Sequence, residues 1–101
     1  MDENAVRLAL STKALRRSTI RRAVVEYLFD ISPSYSYASE ISRHIGCPVT
    51  NVVGAIRGMN NRYRKEEGLL NLNIVAELRY GTNHKLFCLT PWGEIVFKAI
   101  R

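Results

Sequence analysis

The feature that most constrains the fold is a Gly-Cys-Pro turn at residues 46–48, which separates two short stretches of helical sequence. Ahead of the turn, apolar residues recur at three- and four-residue intervals, which predicts a helix over about 37–45 with Ser36 as its N-cap. The glycine suits the left-handed conformation that ends a helix, and the proline suits the first position of the next one. We therefore expect two short helices joined by a tight turn.

The second of these helices is expected to run from Pro48 to about Asn61, with one apolar and one polar face. The residues expected to be buried are Val49, Val52, Ile56 and Met59. The opposite face consists of Thr50, Asn51, Val53, Gly54, Arg57, Gly58 and Asn61. Its two glycines each weaken a helix by about 1 kcal/mol relative to alanine. Close approach to something large and tight packing against a neighbouring helix both account for them.

Helical periodicity also marks the N-terminal part of the chain. Its apolar residues lie on one helix face: Ile20, Val24, Leu28 and Ile31. This spacing predicts an amphipathic helix that begins at Thr12 or Ser18 and ends at Ile31, before Ser32 and Pro33. Residues 1–11 fit a helix, an arm or a frayed end, and the sequence does not choose among these.

The C-terminal third changes to the two-residue alternation of strands. Alternating side chains over 72–80 and 85–89, with a turn signal at 81–83, predict an antiparallel hairpin, to which a strand at Tyr35 could pair. Thr90 then serves as the N-cap of a last helix that begins at the next residue, a proline. The expected fold is mainly helical α+β, with a three-helix core, a hairpin and a C-terminal helix in one domain over residues 1–101.

Composition limits the class of protein. Of 101 residues, 47% are hydrophobic and 24% charged, which is typical of a globular domain and not of a disordered chain. No apolar run is long enough to cross a bilayer, and two cysteines do not make a disulfide framework. The N-terminus lacks the features of a signal peptide, so a cytoplasmic protein with free thiols is expected.

The formal net charge of +6 is unevenly distributed. Basic residues cluster in two places: Arg16, Arg17, Arg21 and Arg22, and then Arg62, Arg64 and Lys65. Lysine and arginine on a binding surface displace counterions from DNA, so both clusters are candidates for phosphate contact. The first group could equally face solvent or a second subunit. The second could be ordinary surface charge or could pair with Glu66 and Glu67.

Two segments resemble a known family. The stretch YASEISRHIGCPVTNVVGAIRGM resembles the helix-turn-helix of small archaeal and bacterial winged-helix transcription regulators, and HKLFCLTPWGEIV resembles their last strand and final helix. The resemblance covers residues 18–101. It implies a winged helix-turn-helix fold, with a recognition helix at 48–61, a hairpin wing with its tip at 79–85, and Cys47 as the small apolar plug between the two helices.

The resemblance also implies which residues contact DNA. The base-facing candidates on the recognition helix are Thr50, Asn51, Gly54 and Arg57, and the wing candidates are Arg79, Asn83, His84 and Lys85. Further contact candidates are Asn61, at the end of the helix, and the basic residues Arg62, Arg64 and Lys65 that follow it. Their chemistry suits the task, because arginine pairs bidentately with guanine, asparagine with adenine, and threonine meets a base edge or a methyl group.

Other site chemistries find little support. His44 with Cys47 and His84 with Cys88 are two zinc-like pairs, but one lies at the helix turn and the other on the hairpin, so no metal site or other cofactor is expected. No catalytic arrangement is visible, and the protein is not expected to be an enzyme.

Sequence-specific binding of double-stranded DNA by a transcription regulator is the expected function, and a homodimer is expected because two recognition helices meet two half-sites. The dimer surface would come from the last helix, through Trp92, Phe97 and Ile100, or from the N-terminal segment, through Val6, Leu8 and Leu10. Two alternatives remain: a winged-helix module that binds protein within a larger nucleic-acid machine, and an RNA-binding module.

Overall fold

The computed structural model describes residues 2–58, 67–82 and 84–101. These residues form five α-helices and one three-stranded antiparallel sheet, so the expected mainly helical α+β class is confirmed. In chain order the elements are α1 (Glu3–Arg16), α2 (Thr19–Ile31), β1 (Ser36–Tyr37), α3 (Ala38–Ile45), α4 (Val49–Arg57), β2 (Val75–Tyr80), β3 (His84–Leu89) and α5 (Pro91–Ile100). Within the described residues, no helix is both long and apolar enough to span a membrane.

The N-terminal third forms two helices, and the second begins next to Ser18, one of the two expected starts. Helix α1 includes residues 3–11, so the helical alternative holds for that part of the segment. The helical structure is interrupted at Arg17 and Ser18. The Ser18 Oγ accepts a hydrogen bond from the Arg21 N–H at 3.1 Å. Since serine is a preferred N-cap, this contact accounts for the start of α2 at Thr19.

The turn between α3 and α4 has the predicted geometry. Gly46 has a φ of 72°, and its N–H donates to the Ser42 carbonyl at 2.9 Å, which ends α3. Pro48 immediately precedes α4 instead of being its first residue. The expected capping role of Ser36 is wrong, because Ser36 lies in β1 and its buried hydroxyl donates to Glu40 Oε1 at 2.6 Å.

Helix α4 ends at Arg57, earlier than the expected Asn61. Gly58 has a φ of 78° and a ψ of 131°, outside the helical region, and its N–H donates to the Gly54 carbonyl at 2.7 Å. A residue with this backbone conformation cannot continue a helix. The faces of α4 also differ from those expected, since Val49 is exposed whereas Gly54 is buried. Burial of Gly54 favours the packing explanation for this glycine.

The chain after α4 returns to the end of that helix. The Leu69 and Leu70 N–H groups donate to the carbonyls of Ala55 and Ile56 at 3.1 and 2.9 Å. A Cβ on Gly68 would lie 3.0 Å from the carbonyl carbon of Arg57, so the two backbones are in close contact. These bonds satisfy carbonyls that the end of a helix leaves unpaired.

The sheet has the strand order β1-β3-β2, with β3 in the centre. The register of the hairpin runs from Val75 opposite Leu89 to Tyr80 opposite His84. The first strand begins at Val75 and not at the expected Leu72, and the second begins at His84, one residue before the expected start. The added strand is present at Ser36–Tyr37, immediately after Tyr35.

The start of α5 is fixed by Thr90 and Gly93. As predicted, Thr90 caps the helix, and its Oγ1 accepts from the Gly93 N–H at 2.8 Å while donating to the Asn73 carbonyl at 2.6 Å. A Cβ on Gly93 would lie only 2.2 Å from the Ile74 carbonyl oxygen. Helix α5 can therefore pack against the residue before β2 only if position 93 has no side chain.

The hydrophobic core lies between the helices and the inner face of the sheet. Its fully buried members include Leu15 from α1, Val24 and Leu28 from α2, Ile41 from α3, Val52 and Ile56 from α4, and Val96 from α5. Phe87 and Leu89 contribute from β3. Burial of these side chains fixes α3, α4 and the hairpin relative to one another.

Candidate nucleic-acid interface

An open groove of about 330 Å³ lies between α4 and the hairpin. It is lined by Tyr37, Ala38 and Ser39 at the start of α3, by Val53 and Arg57 of α4, and by His84, Lys85 and Phe87 of β3. The structure thus brings together three of the expected contact residues, one from the helix and two from the hairpin.

Thr50 and Asn51 lie in the first turn of α4, at the opposite end of the helix from Arg57. Thr50 is exposed and Asn51 is half-buried. Asn51 and Arg57 are six positions apart, which at a rise of 1.5 Å per residue is about 9 Å along the helix axis. The N-terminal end of α4 therefore exposes Thr50 together with the apolar Val49, whereas Gly54 is buried and Arg57 is half-buried.

Arg57 already has a partner within the chain. Its Nη2 donates to Oε1 of Glu77 on β2, and the side chain is 31% exposed against 16% for Glu77. The other carboxylate oxygen of Glu77, Oε2, lies 3.8 Å from the Nε of Arg79, whose side chain is 73% exposed. One carboxylate thus contacts both Arg57 of α4 and Arg79 of β2, the two arginines that we expected to contact DNA.

Glu77 is a residue that the sequence reasoning missed. A usable signal was present, because strand alternation puts Glu77 on the same face of β2 as the buried Val75. A carboxylate on the inner face of a strand needs a cationic or hydrogen-bonding partner. Arg57 on the helix packed nearby was a candidate for that partner.

The hairpin places further cations on the face that bears Glu77. Arg79 lies directly opposite Lys85 across the two strands, and both are exposed. Strand alternation puts the exposed His84 on the opposite face of β3, and its ring contacts Tyr37 edge-on, with centroids 6.1 Å apart. Five expected contact residues, Asn61, Arg62, Arg64, Lys65 and Asn83, lie outside the described residues.

The family model called EarA-like matches residues 12–100, which include α2 to α5 and the whole groove. The chain belongs to the EarA-like family. An uncharacterized protein of Methanocaldococcus jannaschii is 30% identical to the EarA-like chain over 89 residues, covering 88% of this chain and 79% of that protein. No solved structure matches the chain.

In this EarA-like chain, two of the N-terminal arginines pair with Glu67. Arg17 Nη1 lies 3.0 Å from Oε1, and Arg21 Nη1 lies 3.3 Å from Oε2 of the same carboxylate. Arg21 is buried, so it is not available to a DNA backbone. Glu67 was one expected partner of the basic cluster at 62–65. In the structure it pairs with Arg21 of α2 and with Arg17, which directly follows α1.

The two His/Cys pairs do not form a metal site among the described residues, where no group of three or more His, Cys, Asp or Glu side chains could hold an ion. The His44 ring stacks on Tyr27 with centroids 4.7 Å apart. Cys47 packs against the core, in the place expected of an apolar plug, and burial raises the pKa of its thiol.

The expected dimer surfaces are partly used inside the fold. Phe97 is buried, with its ring centroid 4.9 Å from that of Phe29, and Leu8 and Ile100 pack against the core. Trp92 is half-buried, with the guanidinium of Arg7 4.2 Å from its ring centroid. The large apolar side chains that remain exposed on α1 and α5 are Val6, Leu10 and Ile95, and they lie on helices that also expose charged residues such as Lys13 and Lys98.

Proposed function

We propose that this EarA-like protein is a winged helix-turn-helix regulator of transcription that binds double-stranded DNA. In this proposal α4 enters the major groove and the β2–β3 hairpin is the wing that follows the phosphates. The observation that carries the proposal is the combination of the α3–α4 pair with a groove between the C-terminal half of α4 and a hairpin that exposes Arg79 and Lys85.

Dimensions and chemistry support α4 as the recognition helix. The major groove is about 12 Å wide and admits one helix with its side chains. Thr50 and Asn51 occupy the first turn, which is the part of a recognition helix that contacts base edges. Asparagine can pair with adenine through two hydrogen bonds, which makes Asn51 the main candidate for base discrimination.

The hairpin supplies cations that suit phosphates. Lys85 and Arg79 lie opposite each other and are exposed, so DNA can reach both. Each phosphate that such a side chain neutralises releases a counterion, which increases affinity at low salt. These contacts would fix the orientation of the protein without reading the sequence.

A homodimer belongs to the same proposal. Two copies related by a twofold axis would place two α4 helices at half-sites about one turn of DNA apart. The exposed apolar side chains on the packed α1–α5 pair are the surface we assign to the second copy: Val6, Leu10 and Ile95. Burying them on dimerisation would stabilise the pair through the hydrophobic effect.

The test is a fluorescence-anisotropy titration of a random duplex pool at several salt concentrations, followed by selection of a preferred duplex. Wild type should bind the pool with an affinity that falls steeply as salt rises. Lys85→Ala should weaken binding to all duplexes and reduce the salt slope by about one. Asn51→Ala should reduce the preference for the selected duplex by about 1–3 kcal/mol.

Lys13→Ala is the matched control, because Lys13 is an exposed lysine on α1, outside the groove. It should leave the salt slope and the affinity close to those of wild type. Absence of duplex binding at low salt would overturn the proposal and favour a protein partner for α4. Stronger binding to structured RNA than to any duplex would overturn it in favour of RNA.

A further inference from the structure

Glu77 introduces a negative charge into a face that otherwise suits DNA. It lies on β2, is largely buried, and contacts Arg57 of α4 through one oxygen and Arg79 through the other. A phosphate that approached this point would meet the carboxylate as well as the two arginines. Like charges brought together at an interface are costly, so Glu77 opposes non-specific contact with the DNA backbone.

The contact also determines what Arg57 can do. A guanidinium has five N–H donors in a planar fork, and the ion pair with Glu77 is made through Nη2. The contact keeps the guanidinium beside β2, because Glu77 belongs to a strand of the sheet. Arg57 can thus present N–H groups to a base edge, but to grip a phosphate with the whole fork it must first leave Glu77.

We propose that Glu77 is a specificity-determining residue, which holds Arg57 away from phosphates and offsets the charge of the exposed Arg79, so that affinity depends on base contacts. This proposal rests on the proposed DNA-binding function. Glu77 acts through the two arginines and is a positioning residue. It raises the ratio of specific to non-specific affinity by weakening the non-specific complex.

The decisive variant is Glu77→Gln, which keeps the shape of the side chain and removes its charge. Its affinity for a random duplex should rise about tenfold, because the like-charge repulsion is gone and the charges of the two arginines are no longer offset. The slope of log affinity against log salt should steepen by about 0.9 for each phosphate gained. Affinity for the selected duplex should change much less, so the specificity ratio falls.

Glu94→Gln is the control, because it makes the same change in an exposed ion pair with Lys98 on α5. It should leave both affinities and the salt slope unchanged. Glu77→Asp, which keeps the charge, should restore a slope close to that of wild type. A purely structural ion pair would predict lower stability with an unchanged slope, so the slope separates the two roles.

If Glu77→Gln does not fold, a substitution of its partner Arg57 tests the same ion pair. If Glu77 keeps Arg57 off the phosphates, Arg57→Gln should leave affinity for the random duplex within about twofold of wild type, while affinity for the selected duplex falls about tenfold. An equal loss on both duplexes overturns the inference.

The outcomes also separate this inference from the function on which it rests. If the wild-type protein binds no DNA, both the proposed function and the role of Glu77 are overturned. If the wild-type protein binds DNA and Glu77→Gln has the same salt slope and the same specificity ratio, only the role of Glu77 is overturned.

Discussion

Cys47 shows how the turn between α3 and α4 shapes the chemistry of a single residue. The side chain packs against the core, with its Sγ 3.6 Å from the Pro48 carbonyl oxygen. Burial disfavours the charged thiolate and so raises the pKa of the Cys47 thiol above that of a free cysteine. Because the thiolate is the nucleophile, a raised pKa lowers reactivity near neutral pH.

We therefore expect Cys47 to be alkylated slowly. In a Cys88→Ser protein, iodoacetamide should label Cys47 more slowly than an unfolded cysteine at the same pH, and the rate should keep rising beyond the pH at which a free thiol levels off. Mass spectrometry over a pH series measures this rate. The same protein in denaturant is the control, and equal rates in the two conditions would show that the thiol is not protected.

Residues whose role depends on their immediate neighbours were predictable from the sequence. Gly46 and Thr90 satisfy helix ends within three or four residues of themselves, so their roles followed from local rules. The pairing of Arg57 with Glu77 was not predictable in this way, because it joins residues 20 apart in sequence. It exists only once the hairpin packs beside α4.

At the scale of elements, the contact between α5 and Ile74, the residue before β2, leaves no space for an added side-chain atom. A Cβ on Gly93 would lie 2.2 Å from the Ile74 carbonyl oxygen and 2.8 Å from the Leu89 Cδ1. The first of these atoms belongs to the backbone and cannot move aside by a change of rotamer. An added methyl group therefore forces the helix away from the sheet.

We expect Gly93→Ala to lower the free energy of unfolding by about 3 kcal/mol, measured by urea denaturation. Gly46→Ala is the comparison, because no atom lies within 4 Å of its added Cβ and only the φ of 72° is unfavourable. Its cost should be about 1 kcal/mol. Equal losses for the two variants would mean that the α5 contact adapts to the methyl group.

Boundaries of elements were less predictable than their types. The apolar spacing of α2 gave its end at Ile31 correctly, but it left the start open between Thr12 and Ser18, and α2 begins at Thr19. The same periodicity suggested that α4 continues to Asn61, whereas Gly58 takes a non-helical conformation. Side-chain spacing identifies a face, and it does not show where the backbone changes direction.

At the scale of the whole molecule, the fold class and element order followed from the change of period between helices and strands. What the sequence could not supply is how α1 packs. Its apolar residues do not form one clear face, yet α1 contacts both α2 and α5. The exposure of Leu10 and Ile95 therefore depends on how the helices pack in the folded protein. The proposed dimer depends on this exposure.

The proposed dimer predicts a defined change in oligomeric state. Wild type should sediment as a dimer, and Leu10→Lys should shift it towards monomer, because a charge replaces a side chain that is 57% exposed in the isolated chain and buried between the two copies. Leu78→Lys is the control, since Leu78 is 44% exposed but lies on the hairpin. A wild-type monomer, with and without DNA, would contradict the dimer.

The return of the chain to the end of α4 has a consequence for covalent connectivity. Glu67 is held by Arg17 and Arg21, Leu69 and Leu70 donate to carbonyls of α4, and β1 pairs with β3. All of these contacts join residues before position 59 to residues after position 66, and none needs the peptide bonds between them. The parts of the chain before position 59 and after position 66 are thus held together by ion pairs and hydrogen bonds in addition to their covalent link.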